Sequence, residues 1–294
     1  MQLYDIVSVG HVTNDTLIDR GTLSRFTGGG AYFGAFAAHR LGARILVVTK
    51  LAPRDFAILD GMKRQGIEVI ALPSPATTSI ENVFETADVD KRKVRLISQA
   101  APFVPSDLPE VQAAIYNLTG LFRGEMTGEL IECAAQRGEV ALDLQGFLRC
   151  SEGGTFAFRD WEEKRRYLPM ISYIKADSLE SEVAAGTPDR EEAARILHDW
   201  GAREVVITHS SEVIAYDGSR VYRAPFDPSN LSGRTGRGDT CFISYLVWRL
   251  GHGIEESVRL AAALTSIKME KPGPFDGTRE GALERAKNLP RSMK

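Results

Sequence analysis

Short apolar, β-branched runs alternate along this chain with segments whose apolar residues recur at helical spacing. Asp5–Val9, Arg44–Thr49, Glu68–Leu72, Ala114–Leu118, Glu139–Leu144, Tyr173–Ala176 and Glu204–Thr208 read as strands. Ala31–Leu41, Phe56–Gln65, Met126–Gln136 and Arg190–Trp200 read as helices. Strands and helices that alternate this way predict an α/β fold, with a mostly parallel sheet covered by helices. Gly42, Gly66, Gly138 and Gly201 follow helical segments and are expected to supply positive-φ caps before the next strand.

One region breaks the rhythm. Thr77–Ala87 and Lys93–Ser98 flank the polar turn Asp88-Val-Asp-Lys-Arg92 and predict a β-hairpin inserted into the α/β pattern. It is decoration on the core or a lid that closes over a site and excludes water. The sequence shows no internal repeat or separable linker, and Ala224–Gly238 reads as a loop. One domain spanning 1–294 is expected, with any lid built from about 11–27 and 77–104.

Composition narrows the function. Of 294 residues, 43% are hydrophobic and 26% charged, as in ordinary globular proteins, and no apolar run reaches membrane-spanning length. A net charge of −3 argues against a chain that works by neutralising nucleic-acid phosphates, although small anionic ligands remain open. The three cysteines, Cys133, Cys150 and Cys241, have no metal-ligand spacing and are too few for a disulfide framework. With no signal segment ahead of Tyr4–Gly10, a cytoplasmic location is expected.

The strongest chemical signal is Gly233-Arg-Thr-Gly-Arg-Gly-Asp-Thr-Cys241, which leads into the apolar segment Phe242–Leu250. Gly236 and Gly238 permit close backbone approach, so N–H groups of a first helical turn can converge on a phosphate with Asp239 beside it. An ordinary helix cap accounts equally for those letters taken alone. Gly10-His-Val-Thr-Asn-Asp15 ends the first strand, where Asp15 could bind hydroxyls or simply form an Asx turn. Gly28, Gly29 and Gly30 expose backbone to a close ligand, but the Gly-x-Gly-x-x-Gly dinucleotide spacing is absent, which leaves a dehydrogenase the weakest candidate. Asp177-Ser-Leu-Glu180 suits a hydrated Mg²⁺ held by few protein ligands, and a capping box explains the same residues. Cys241 falls inside the predicted helix with no histidine near it in sequence, so a packed thiol is expected rather than a nucleophile.

In order along the chain, these segments resemble the ribokinase-type, or PfkB, carbohydrate kinase family. Thr235-Gly-Arg-Gly-Asp239 is similar to its Thr-Gly-Ala-Gly-Asp signature, and Gly28–Gly30 through Leu41-Gly42-Ala43 to its N-terminal glycine-rich signature. Asp15, the 77–98 hairpin, Asp143–Arg149, Asp177–Glu180 and Lys271-Pro-Gly-Pro274 fall where further family landmarks are expected. The resemblance implies a three-layer ribokinase-like sandwich, a small β-lid that could also pair two subunits into a homodimer, and ATP-dependent, Mg²⁺-assisted phosphorylation of a hydroxyl. It matches Asp239 to the general base and Gly236, Arg237 and Gly238 to the anion hole. Substrate binding falls to Asp15, Gly28, Gly29 and Phe33; Glu180, with Asp177, organises Mg²⁺; Thr208 and Lys271, Pro272 and Gly273 belong to the ATP side.

Several positions depart from that pattern. Phe33 stands where many members carry a sugar-binding asparagine, Arg237 replaces alanine and Asp177 replaces asparagine. The Thr208-His-Ser-Ser-Glu-Val213 segment lacks both glycines of the family's nucleotide loop. The leading expectation is a kinase for a sugar or related polyol, including cyclitols such as inositol. A nucleoside kinase is the nearest rival, and a catalytically silent sugar- or nucleotide-binding protein is the second class; Asp239 with both flanking glycines argues against silence.

Overall fold

The computed structural model describes residues 3–84, 93–153 and 155–290. Its largest element is a nine-stranded sheet ordered Val221–Pro225, Glu212–Tyr216, Glu204–Thr208, Tyr173–Asp177, Glu139–Asp143, Gln112–Leu118, Leu3–Val9, Ile45–Leu51 and Glu68–Pro73. The seven strands from Glu204–Thr208 to Glu68–Pro73 run parallel, and the other two add an antiparallel edge. Central strands such as Ile45–Leu51 and Glu204–Thr208 are buried throughout, as expected where both sheet faces carry helices. Gly30–Arg40, Arg237–Arg249 and Ile254–Met269 contribute to the core on one face; Gly128–Ala135, Ser178–Ala185 and Arg190–Asp199 contribute to the other.

A separate four-stranded sheet, ordered Thr22–Gly28, Thr13–Asp19, Ser79–Phe84 and Lys93–Ser98, stands at the carboxyl end of the large one. Here Gly10–Asp15 is not an Asx turn: Asp15 lies within a strand and pairs with Phe26. The expected turn Asp88–Arg92 lies outside the described residues.

Local differences from the sequence reading have physical causes. Pro53 opens a 3₁₀ segment, Pro53–Leu59, so the expected helix Phe56–Gln65 is α-helical only over Asp60–Arg64. Thr127 caps the next helix by accepting from the Leu130 N–H, which starts it at Gly128 rather than Met126. Gly42, Gly66 and Gly201 have positive φ, whereas Gly138 does not; a Cβ there would sit 2.6 Å from the Ala113 carbonyl oxygen. Part of the expected 224–238 loop is strand, and the hairpin Arg149–Glu152 with Thr155–Phe158 was not foreseen. Among the described residues, no helix is long and apolar enough to cross a membrane.

Candidate active site

A cleft of about 600 Å³ opens at the carboxyl ends of the central strands, where the small sheet meets the large one. Strand ends deliver Lys175, Asp177 and Thr208 to its floor. The small sheet supplies Asp15, Leu17, Phe26, Ile80, Asn82 and Val94, and the turn before helix Arg237–Arg249 supplies Arg234 to Asp239.

The three glycines join two carboxylates. A Cβ on Gly28 would sit 2.5 Å from Asp15 Oδ2, and one on Gly30 would sit 2.7 Å from Asp239 Oδ1. Gly29 between them has φ +94°, and a Cβ there would fall 2.1 Å from the His11 carbonyl oxygen. Glycine is therefore demanded three times by close approach, and a loop-plus-helix account does not require that. Asp15 Oδ1 accepts from the Ile80 N–H at 2.9 Å, which ties it across the small sheet. Burial pushes the Asp15 carboxyl up to about 6, against the pull of its hydrogen bonds.

At the helix start, Gly236 adopts φ +79° and is the N-cap of Arg237–Arg249. The Arg237 N–H donates to the Arg234 carbonyl at 3.2 Å and closes the turn. Among the described residues, the Gly236 and Gly238 N–H groups have no backbone acceptor, and N–H groups of this kind at a helix start, with the dipole behind them, can bind an anion. Phe33 is buried beneath the turn; a Cβ on Gly236 would meet its ring at 2.2 Å. Phe33 thus both lines the cleft and supports the glycine turn. Burial raises the Asp239 carboxyl above its usual range, opposed by Lys175 and Arg149.

Lys175 was missed in the sequence, although a lysine inside Tyr-Ile-Lys-Ala was an available signal. Its ammonium lies 3.1 and 3.0 Å from the two Asp143 oxygens and 3.4 Å from Glu180 Oε2. A Cβ on Gly238 would be 3.3 Å from Lys175 Nζ, so the charge stands beside the first helical turn. Burial alone would lower the lysine, but Asp143, Glu180, Asp239 and Asp177 outweigh it and hold the ammonium protonated.

Asp177 and Glu180 form a reciprocal capping box: Asp177 Oδ1 accepts from the Glu180 N–H at 2.8 Å and Glu180 Oε2 accepts from the Asp177 N–H at 2.7 Å. Asp177 still lines the cleft, while Glu180 is buried behind it, and burial raises its carboxyl against the pull of Lys175. Among the described residues no group of three or more His, Cys, Asp or Glu could hold a metal.

Arg149 is a second residue that the sequence reading did not place in the site. It lines the cleft, donates through Nε to the Leu121 carbonyl at 2.8 Å and lies 4.5 and 4.8 Å from the Phe122 and Phe156 ring centres. Phe156 comes from the unforeseen hairpin, which is why sequence spacing could not reveal this contact. Lys271, Pro272 and Gly273 are not brought into the cleft. All three are exposed: the Lys271 carbonyl oxygen lies 1.9 Å from where a Cβ on Gly233 would sit, and the Lys271 ammonium pairs with Asp276. Cys241 is buried, with its thiol pushed up to about 12 by burial.

Comparison with known proteins agrees with this geometry. The chain is 38% identical to a pyrophosphate-dependent kinase in the ribokinase family solved as a sulfate complex, with 95% of this chain and 99% of that one covered and a TM-score of 0.88. A pyrophosphate-dependent kinase of the same family, complexed with a pyrophosphate analog and myo-inositol, is 38% identical over 95% of this chain and 99% of that one, with a TM-score of 0.86. The cytidine kinase of Thermococcus kodakarensis is 28% identical over 292 residues, 94% of this chain and 100% of that protein. Residues 3–280 match the profile of the pfkB family carbohydrate kinases. A match of that length shows the family: this chain belongs to the pfkB carbohydrate kinases and is a phosphotransferase whose acceptor is a sugar or polyol hydroxyl.

Proposed function

We propose that the enzyme transfers a phosphoryl group from pyrophosphate to a hydroxyl of a cyclitol such as myo-inositol. The observation that carries the donor assignment is the pairing of Arg237 in the cleft wall with Lys271–Gly273 outside it. Arg234, Arg237, Lys175, Ser232, Thr235 and Thr208 make the donor end a set of cations and hydroxyls suited to phosphate oxygens. The Lys271–Gly273 segment, which family resemblance alone would give to adenine, is exposed and does not line the cleft, and it approaches the turn through the Lys271 carbonyl near Gly233. The two pyrophosphate-dependent relatives support the same donor.

In this reading Asp239 accepts the proton of the attacking hydroxyl as its oxygen bonds to phosphorus, and the bridging P–O bond of pyrophosphate breaks to release phosphate. The Gly236 and Gly238 N–H groups, with Arg237 and Lys175, stabilise charge on the transferring group. Asp177 would hold Mg²⁺, with Glu180 fixing its orientation through the capping box; the ion would neutralise charge on the donor. Asp15, Asn82, Gln145 and Arg149 supply polar contacts for the acceptor, while Phe26, Ile80 and Phe156 form its apolar walls. The small sheet acts as a lid that excludes water from the transfer.

The test is ³¹P NMR of the enzyme with pyrophosphate, Mg²⁺ and, in turn, myo-inositol, ribose, fructose or cytidine. A cyclitol phosphate with orthophosphate is the expected product pair. Preferential formation of a cytidine phosphate would overturn the acceptor assignment and favour the nucleoside reading.

A further inference from the structure

Beneath the glycine turn lies a buried cation that the chemistry above does not use. Lys268 is 2% exposed and sits in the last turn of helix Ile254–Met269. Its ammonium donates to the carbonyl oxygens of Gly233 and Thr235 and stands 5.1 Å from the centre of the Phe33 ring. No carboxylate forms an ion pair with it among the described residues. Burial pushes the lysine down to about 8, with Asp239 opposing that shift. A buried charge without a counter-ion is costly, so its retention calls for a compensating role.

The identity of the accepting carbonyls suggests that role. Thr235 C=O belongs to the same peptide unit as the Gly236 N–H, which has no backbone acceptor at the helix start among the described residues. Gly233 C=O belongs to the unit that carries the Arg234 N–H. A cation on the oxygen side of a peptide draws electron density from its nitrogen and makes the N–H a stronger donor. Hydrogen bonds in series reinforce one another this way, and those to an ion are the stronger kind. The Gly233 N–H donates at 2.8 Å to Met269 O, so the same helix end also fixes the height of the turn.

We infer that Lys268 is a built-in cation that polarises and positions the anion-binding turn through the Thr235–Gly236 peptide. It is a positioning residue: it acts on the transferring phosphoryl group through that peptide and Phe33. The inference rests on phosphoryl transfer at this turn and holds whether the donor is pyrophosphate or a nucleotide.

The test uses Lys268→Ala and Lys268→Met in the full chain, with circular dichroism and thermal unfolding recorded beside kinetics. Lys268→Ala is expected to lower kcat by roughly 10- to 100-fold, with much less change in acceptor KM. Added methylammonium should restore part of that kcat saturably, leave the wild type unaffected and be matched by no effect of methanol. A purely structural role would show recovery with methanol as well, or unfolding that no amine reverses. Lys268→Met retains the packing of the chain without the charge; a kcat within twofold of wild type in this variant would overturn the inference, as would failure of any amine to rescue a natively folded Lys268→Ala. Failure of the pyrophosphate assignment would show as a change of donor, with the amine rescue intact.

Discussion

Gly30 and Asp239 approach so closely that a single methyl group would separate them: a Cβ on Gly30 would sit 2.7 Å from Asp239 Oδ1 and 2.1 Å from Thr119 Oγ1. Gly30 opens helix Gly30–Arg40, where alanine would otherwise favour the helix by about 1 kcal/mol. Gly30→Ala is therefore expected to lower kcat roughly 100-fold or more by displacing the carboxylate, without a comparable loss of secondary structure. Steady-state kinetics with circular dichroism check this. Near-normal turnover would place the reacting groups away from Gly30.

Asp239→Asn removes the proton acceptor while keeping its shape. The expected loss is roughly 10²- to 10⁴-fold in kcat, with donor affinity measured by calorimetry nearly unchanged. Loss of donor binding together with turnover would assign Asp239 a structural role in the turn.

Asp15 should make acceptor use depend on pH. Its carboxyl is raised from 3.8 to about 6, so the fold binds that proton more tightly than the unfolded chain does. The stability contribution is present below about 3.8 and lost as pH rises through 6. Binding of acceptor hydroxyls runs the other way, because only the ionised carboxylate offers both oxygens as acceptors. The acceptor's kcat/KM is expected to climb with pH to a plateau above about pH 6. Asp15→Asn should lower the plateau and shift that limb, leaving any part set by the Asp239 base; an unchanged limb would move the titration to another group.

Lys175 holds Asp143 and Glu180 in a region where all three are almost wholly buried. Lys175→Met strands those carboxylates, and the expected cost is about 3–5 kcal/mol in denaturant unfolding at neutral pH. Stranded carboxyls have raised pKa values in the fold, so the deficit should shrink as pH falls and they take up protons. A deficit independent of pH would mean that packing, not charge, is what Lys175 supplies.

Much of this was legible in the sequence for identifiable reasons. Strands buried on both faces, such as Ile45–Leu51, appear as nearly continuous apolar runs, here Ile45-Leu-Val-Val48, and Thr235–Asp239 carries its chemistry on consecutive residues. Contacts formed across the fold were not legible. Lys268 reaches Gly233 from 35 positions away and Lys175 reaches Asp143 from 32, and no local pattern encodes either contact. Asp177–Glu180 shows why one stretch of letters can carry two readings, since the capping box forms and Asp177 still borders the cleft while Glu180 lies buried behind it.

The donor assignment is the central claim, and its most direct measurement is the ratio of kcat/KM for pyrophosphate to that for ATP, with myo-inositol as acceptor under matched Mg²⁺. The cationic donor end, with Lys271–Gly273 outside the cleft, implies a ratio of roughly 100 or more. A ratio at or below one would contradict the account and return the donor to the nucleotide that family resemblance alone implied.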